Sequence, residues 1–248
     1  MRDKWLAFLL AGFGVMGLYR RRLRMAFHRW IDNHGRDGQI ELNVRRNHLP
    51  VTVLMRRGNE GDYLMTSEFL REWYACPDFR PRTIIDAGAN IGLFALHAAR
   101  FYPQARLICF EPNAENVVQL KANLERNCIS ADINTAAVWS KSTTVYFHAQ
   151  QAHSGYVDEI PAGEPMAAIL PDIPPDCWLK LDVEGAEYQV LPALFAARRF
   201  PRWMSVELHN AAQKGQEIID LLRENGYSVS GHEDLKHFGV VITACRKT

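Results

Sequence analysis

Thr83-Ile84-Ile85-Asp86-Ala87-Gly88-Ala89-Asn90-Ile91-Gly92 reads as a buried strand that runs into a glycine turn and then a helix. Glycine reaches positive φ and lets a backbone approach a ligand closely. The helix that follows, predicted over Leu93–Phe101, presents unpaired N–H groups at its start. Many nucleotide-binding folds share such a turn, so two details matter more than the turn itself. Gly88 and Gly92 are spaced GxxxG, which is not the GxGxxG of dinucleotide binding, and Asp86 ends the strand just before them. A carboxylate there repels a pyrophosphate and attracts a cofactor that carries an amine and a sulfonium.

Outward from this turn the pattern is short apolar strands alternating with helices. Strands are predicted at Arg106–Phe110, Ile133–Val138, Trp178–Leu181 and Trp203–Leu208, and helices at Ala114–Arg126, Ala186–Arg199 and Gln216–Asn225. Such alternation indicates a parallel sheet covered on both faces. Tyr227–Ser230 and Val240–Cys245 close the chain with no long helix between them, which suggests one antiparallel strand at the end of the sheet. Upstream, Gln39–Val44 and Val51–Met55 are read as a hairpin, and Thr66–Tyr74 as a helix capped by Thr66 or Ser67. Ser140 to Pro175 interrupts the alternation; apart from a strand at Thr143–Phe147 it is read as an irregular insertion, either a lid or a plain surface loop.

Chemistry-bearing residues gather at predicted strand ends, where open α/β sheets bind ligands. Glu111, in Phe110-Glu111-Pro112-Asn113, is placed to accept hydrogen bonds from ribose hydroxyls; the plainer role is an acid in the first turn of a helix starting at Asn113. Leu179-Lys180-Leu181-Asp182-Val183-Glu184-Gly185-Ala186-Glu187 ends a strand with three acids and a glycine, and Asp182 is expected beside the reacting group. Glu184 and Glu187 are either functional or helix N-terminal charges. His209 follows the strand Val206-Glu207-Leu208, and His153 lies in the insertion. Asp182, His209, Glu184 and His153 are therefore the candidate proton acceptors, His209 and Asp182 ahead of His153. Asp182, Glu184 and His209 match no familiar metal-ligand spacing, so no metal is expected.

Taken together, the strings DAGANIG, FEPN and above all LKLDVEGAE resemble the FkbM family of S-adenosylmethionine (SAM) dependent methyltransferases, over roughly residues 40–245. The resemblance implies a seven-stranded, mostly parallel, doubly wound Rossmann-like sheet and methyl transfer to oxygen, commonly on sugars or natural-product hydroxyls. It implies SAM contacts at Asp86, Gly88, Asn90, Gly92, Glu111 and Asn113, with Ala137 and Val138 beside the adenine. Val138-Trp139-Ser140 departs from the small-residue turn expected there, and Trp139 is read as core. The alternatives are a nicotinamide oxidoreductase on a similar sheet, disfavoured by the GxxxG spacing, and a catalytically silent membrane-tethered binding protein.

Composition is that of a globular domain, with 48% hydrophobic and 23% charged residues. A net charge of +1 gives no global basic excess for nucleic acid; a small-molecule or glycan acceptor is what the resemblance implies. The five scattered cysteines form no CxxC pair and are read as reduced thiols of a cytoplasmic domain. Trp5 to Tyr19 is apolar or glycine throughout and is followed by Arg20, Arg21, Arg22, Arg24 and Arg29. As a helix this run spans roughly 22 Å, short of the roughly 30 Å hydrocarbon core. An in-plane anchor on the cytoplasmic face fits it, with a helix docked on protein as the alternative. The expected organisation is thus an appendage at 1–30, accessory strands and helix at 31–82, and the SAM-binding core at 83–248.

Overall fold

The structure, a computed structural model, describes residues 39–46, 49–69, 74–149, 155–231, 235 and 239–246. The expectations for residues 1–30 and for the tip of the insertion, His153 included, lie outside these. A hairpin, β1 (Gln39–Arg46) and β2 (Leu49–Arg56), leads into α1 (Glu60–Phe69). The alternating core follows as β3 (Thr83–Ala87), α2 (Leu93–Phe101), β4 (Arg106–Phe110), α3 (Ala114–Arg126) and β5 (Asp132–Asn134). An excursion of β6 (Ala137–Val138), β7 (Thr143–Ala149), β8 (Gly155–Asp158) and β9 (Glu164–Ile169) precedes the return to the core. That return is β10 (Cys177–Leu181), α4 (Glu187–Ala196), β11 (Trp203–His209), α5 (Ala211–Glu224), β12 (Tyr227–Ser230) and β13 (Gly239–Arg246).

The main sheet has seven strands in the order β12-β13-β11-β10-β3-β4-β5. β10 and β11, β10 and β3, β3 and β4, and β4 and β5 pair in parallel; β13 runs antiparallel to both its neighbours. This is the doubly wound sheet with an antiparallel closing strand that the sequence pattern predicts. Side chains alternate across it. Ile84, Leu107, Cys109 and Trp178 pack with the hairpin and with α1 to α3. Ile85, Phe110, Leu179 and Leu181 pack on the opposite side with α4 and α5. Strand order reverses between β3 and β10, the kind of switch point at which α/β sheets bind ligands.

The hairpin is fixed to the core by side-chain amides. Asn123 Oδ1 on α3 accepts the Leu54 N–H at 2.6 Å, and Asn127 Oδ1 accepts that of Thr52 at 2.9 Å. Gln119 and Asn123 donate to the Leu54 carbonyl and Asn127 to the Thr52 carbonyl. The free edge of β2 is thus satisfied by a helix carrying carboxamides in place of a strand.

Three expectations are corrected. α1 starts at Glu60, not near Thr66, because Asn59 caps it by accepting the Asp62 N–H at 3.0 Å, with Glu60 and Asp62 in its first turn. Thr66 is fully buried inside the helix. The predicted strand Ile133–Val138 is two strands: Asn134 Oδ1 accepts the Ala136 N–H at 2.8 Å, and this local turn breaks the extended chain. Besides the strand expected at Thr143–Phe147, seen as β7, the described part of the insertion holds β8 and β9, and these three join β6 in a four-stranded sheet ordered β6-β9-β7-β8.

Candidate active site

A cleft of about 360 Å³ opens at the carboxyl ends of β3, β4, β10 and β11. Gly88, Asn90, Glu111, Asn113, Ala137, Val138, Asp182, Glu184 and His209 all line it. Nine residues singled out in the sequence therefore converge on one cavity. Asp86 and Gly92 do not line it and act from behind it.

The turn after β3 is shaped by crowding within the protein. Gly88 has φ +80°, and a Cβ there would meet the Asp182 carbonyl oxygen at 1.8 Å. Gly92 has φ +88°, and its Cβ would meet Leu120 at 2.5 Å. These glycines let β3, β10 and α3 approach one another, which leaves the backbone of Gly88 to Asn90 on the cleft wall. Asp86 sits beneath with no exposed surface. Burial raises its carboxyl above the usual range, against the pull of Lys180. Lys180, its cross-strand partner, brings Nζ to 3.3 Å from Asp86 Oδ1 and 3.1 Å from Asp182 Oδ2 and donates to the Gly88 carbonyl at 2.6 Å. Burial opposes the Lys180 charge, but the two carboxylates hold it well above its ordinary value. The acid at the carboxyl end of β3 thus has Lys180 beside it.

Glu111 closes the next strand. Oε2 accepts the Asn90 N–H at 2.7 Å and Oε1 that of Asn113 at 3.0 Å, so the acid binds the glycine turn to the start of α3. Burial raises its carboxyl, opposed by these hydrogen bonds. Asn113 lines the cleft and also caps α3, accepting the N–H groups of Glu115 and Asn116. The small sheet supplies the facing wall through Val138, Phe147, Gly155 and Val157. A Cβ on Gly155 would meet the Phe147 ring at 2.3 Å, so the missing side chain seats the aromatic wall. Trp139 is core, with its indole N–H on Glu159 at 3.2 Å.

The far end of the cleft is a carboxylate cluster around His209. Nε2 lies 3.3 Å from Glu184 Oε2 and 3.9 Å from Asp182 Oδ1, and Nδ1 lies 3.2 Å from Glu187 Oε1. Burial works against a charged imidazole, but the Glu187 hydrogen bond and the charges of Glu187, Asp182 and Glu184 raise His209 to about 9. Burial also raises Glu184. Asn90, Glu184 and Asn210, in the loops that follow β3, β10 and β11, have φ of 48°, 51° and 54°; Cys128 and Arg198, away from the cleft, share this conformation. Among the described residues, Asp182, Glu207 and His209 present ligand atoms within 4.8 Å of one another, a set able to surround a cation. The sequence reading passed over Lys180 and Glu207. The period of two was available for both, because Lys180 shares a strand face with Asp182, and Glu207 with His209.

Comparison with known proteins follows the same residues. Residues 86–229 match the model of the Methyltransferase FkbM domain. The chain is 27% identical over 219 residues to the 31-O-demethyl-FK506 methyltransferase FkbM of Streptomyces tacrolimicus, covering 69% of this chain and 83% of that one. It is 28% identical over 236 residues to the AMB antimetabolite synthetase AmbE of Pseudomonas aeruginosa; that match covers 71% of this chain and spans only 11% of AmbE. Among solved structures, M. jannaschii TYW2 in complex with AdoMet aligns with a TM-score of 0.44 at 12% identity, covering 86% of this chain and 89% of that one.

Proposed function

The chain belongs to the FkbM methyltransferase family, and on that footing we propose that it transfers the methyl group of SAM to a hydroxyl oxygen of a sugar, glycolipid or natural product. The observation that carries this reading is the convergence of the Gly88–Asn90 turn, Glu111 and the Asp182–His209 cluster on one cleft. Its lining acids Glu111, Glu115, Asp182, Glu184 and Glu207 outnumber its basic residues Arg56 and His209. Such an excess favours a cationic ligand and disfavours a phosphate-rich one.

Bound SAM supplies an electrophilic methyl on a sulfonium. The turn backbone, Glu111 and the Ala137–Val138 segment suit its polar tail, ribose and base. Asp182, Glu207 and His209 suit the acceptor end, where one of them takes the hydroxyl proton as oxygen attacks. The leaving thioether is neutral, so alignment and proton removal are the protein's whole task. The name of the Streptomyces relative describes O-methylation of a natural product, which agrees with this reading. Residues 39–69 share the core and bring Arg56 and Met65 to the cleft, so residues 31–82 are proposed as part of the catalytic unit and 1–30 as an appendage. No helix among the described residues is long and apolar enough to cross a membrane; a cytoplasmic enzyme with membrane contact through residues 1–30 remains the proposal.

Incubation with SAM labelled in its methyl group and extract of the source cells, followed by mass spectrometry, tests this. The expected product carries the label as an O-methyl ether. Label on nitrogen or carbon, or stabilisation of the protein by NAD and not by SAM, overturns the assignment.

A further inference from the structure

The third acid of LKLDVEGAE has no surface exposure and does not line the cleft. Glu187 Oε2 accepts the Gly185 N–H at 2.9 Å; Oε1 accepts the His209 N–H at 2.7 Å and lies 3.2 Å from His209 Nδ1. The next residue, Tyr188, donates its hydroxyl to the His209 carbonyl at 2.5 Å. The first turn of α4 therefore grips the histidine at its N–H, its carbonyl and its ring. A helix-dipole role requires none of these contacts. An acceptor facing Nδ1 fixes the proton there, so Nε2 is the nitrogen turned to the Asp182 and Glu184 side of the cleft.

We propose that Glu187 is the positioning residue of a carboxylate–imidazole pair in which His209 Nε2 takes the proton of the acceptor hydroxyl. This rests on the O-methyltransferase reading. In the step, the acceptor oxygen forms a bond to the methyl carbon and the carbon–sulfur bond breaks, its electron pair staying on sulfur. The O–H proton passes to Nε2. One positive charge moves from sulfonium to imidazolium, where Glu187 offsets it. The titratable groups around His209 include Asp182 and Glu184 from the turn after β10, Glu187 and Tyr188 from α4, Glu207 from its own strand, and Lys180 behind Asp182. Phe147 and Val157 of the facing wall are uncharged, and Arg56 lines the opposite side of the cleft. The surrounding acids favour the protonated imidazole, so the rate is expected to climb with pH. A bound sulfonium would favour the neutral form.

The test uses the full chain with methyl-labelled SAM and the acceptor fraction purified from the source-cell extract by that label. His209→Gln is expected to lower kcat by about 10²-fold or more. Glu187→Gln should lower kcat at least about tenfold and shift the inflection of the pH profile downward, with the dissociation constant for SAM unchanged. The double variant should be no worse than His209→Gln alone, because the pair acts as a unit. Imidazole nitrogen NMR of the wild type at high pH reads the tautomer directly and needs no variant to fold; a proton on Nδ1 is expected. A proton on Nε2, an unmoved pH profile in Glu187→Gln, losses that multiply in the double variant, or activity lost to a chelator and restored only by a divalent cation would each overturn the pair. Wild type that binds no SAM would instead refute the methyltransferase reading beneath it.

Discussion

Replacing Lys180 with Met tests the electrostatic frame behind the cleft. The Lys180 side chain is 5% exposed and neutralises Asp86, which is wholly buried, while also meeting Asp182, 13% exposed. Among the described residues, Lys180 is the cation that meets this charge. Met fills similar volume, but it strands a buried carboxylate, at a cost of about 3–5 kcal/mol. Loss of the bond to the Gly88 carbonyl adds about 1 kcal/mol. Together these approach roughly half of the stability of an ordinary domain, ~5–15 kcal/mol. Burial holds Asp86 above its usual range in the folded state, and losing Lys180 raises it further. A raised carboxyl favours the folded state below its unfolded value and loses that contribution as pH rises through the folded value. The deficit of Lys180→Met should therefore shrink as the pH is lowered towards 4. Asp86→Asn in the same chain should recover at least ~2 kcal/mol by removing the stranded charge. Urea unfolding at several pH values measures all of this. A cost below about 1 kcal/mol, or a deficit that ignores both pH and the second substitution, refutes the reasoning.

Three further outcomes follow from the geometry. Glu184→Gly should leave stability within about 1 kcal/mol of wild type, since relief of a left-handed backbone offsets glycine's extra chain entropy, while methyl transfer falls; thermal melts and a turnover assay separate the two. Gly155→Val should displace the Phe147 ring and weaken SAM or acceptor binding by calorimetry, with a smaller effect on the melting temperature. Removing residues 1–30 should release the protein from membranes in a flotation assay, and persistent membrane binding would place the attachment elsewhere.

The core was legible because its elements are locally consistent. Thr83–Ala87, Leu93–Phe101, Arg106–Phe110 and Ala114–Arg126 have the predicted bounds, each with a clean apolar pattern and a glycine turn or asparagine cap at its edge. Of the small sheet only β7 was legible, as the strand predicted at Thr143–Phe147. β6 has two residues and β8 four, too short to show a period, and Pro165 lies within β9 and masks it. α1 was placed late because Thr66 and Ser67 look like caps, although Asn59 with Glu60 and Asp62 carries the stronger signal. The same limit applies to the site. Strand-end chemistry marked Asp86, Glu111, Asp182 and His209, but their partners are set by tertiary packing. Lys180 meets Asp86 only through sheet register, and Glu187 meets His209 only because α4 packs beside the end of β11.

Calorimetric titration of the full chain with SAM tests the central claim most directly. The account predicts one binding site per chain, abolished or weakened at least about tenfold by Glu111→Ala, whose carboxylate is assigned to the ribose hydroxyls. No heat of binding with SAM, or unchanged affinity in Glu111→Ala, would contradict it.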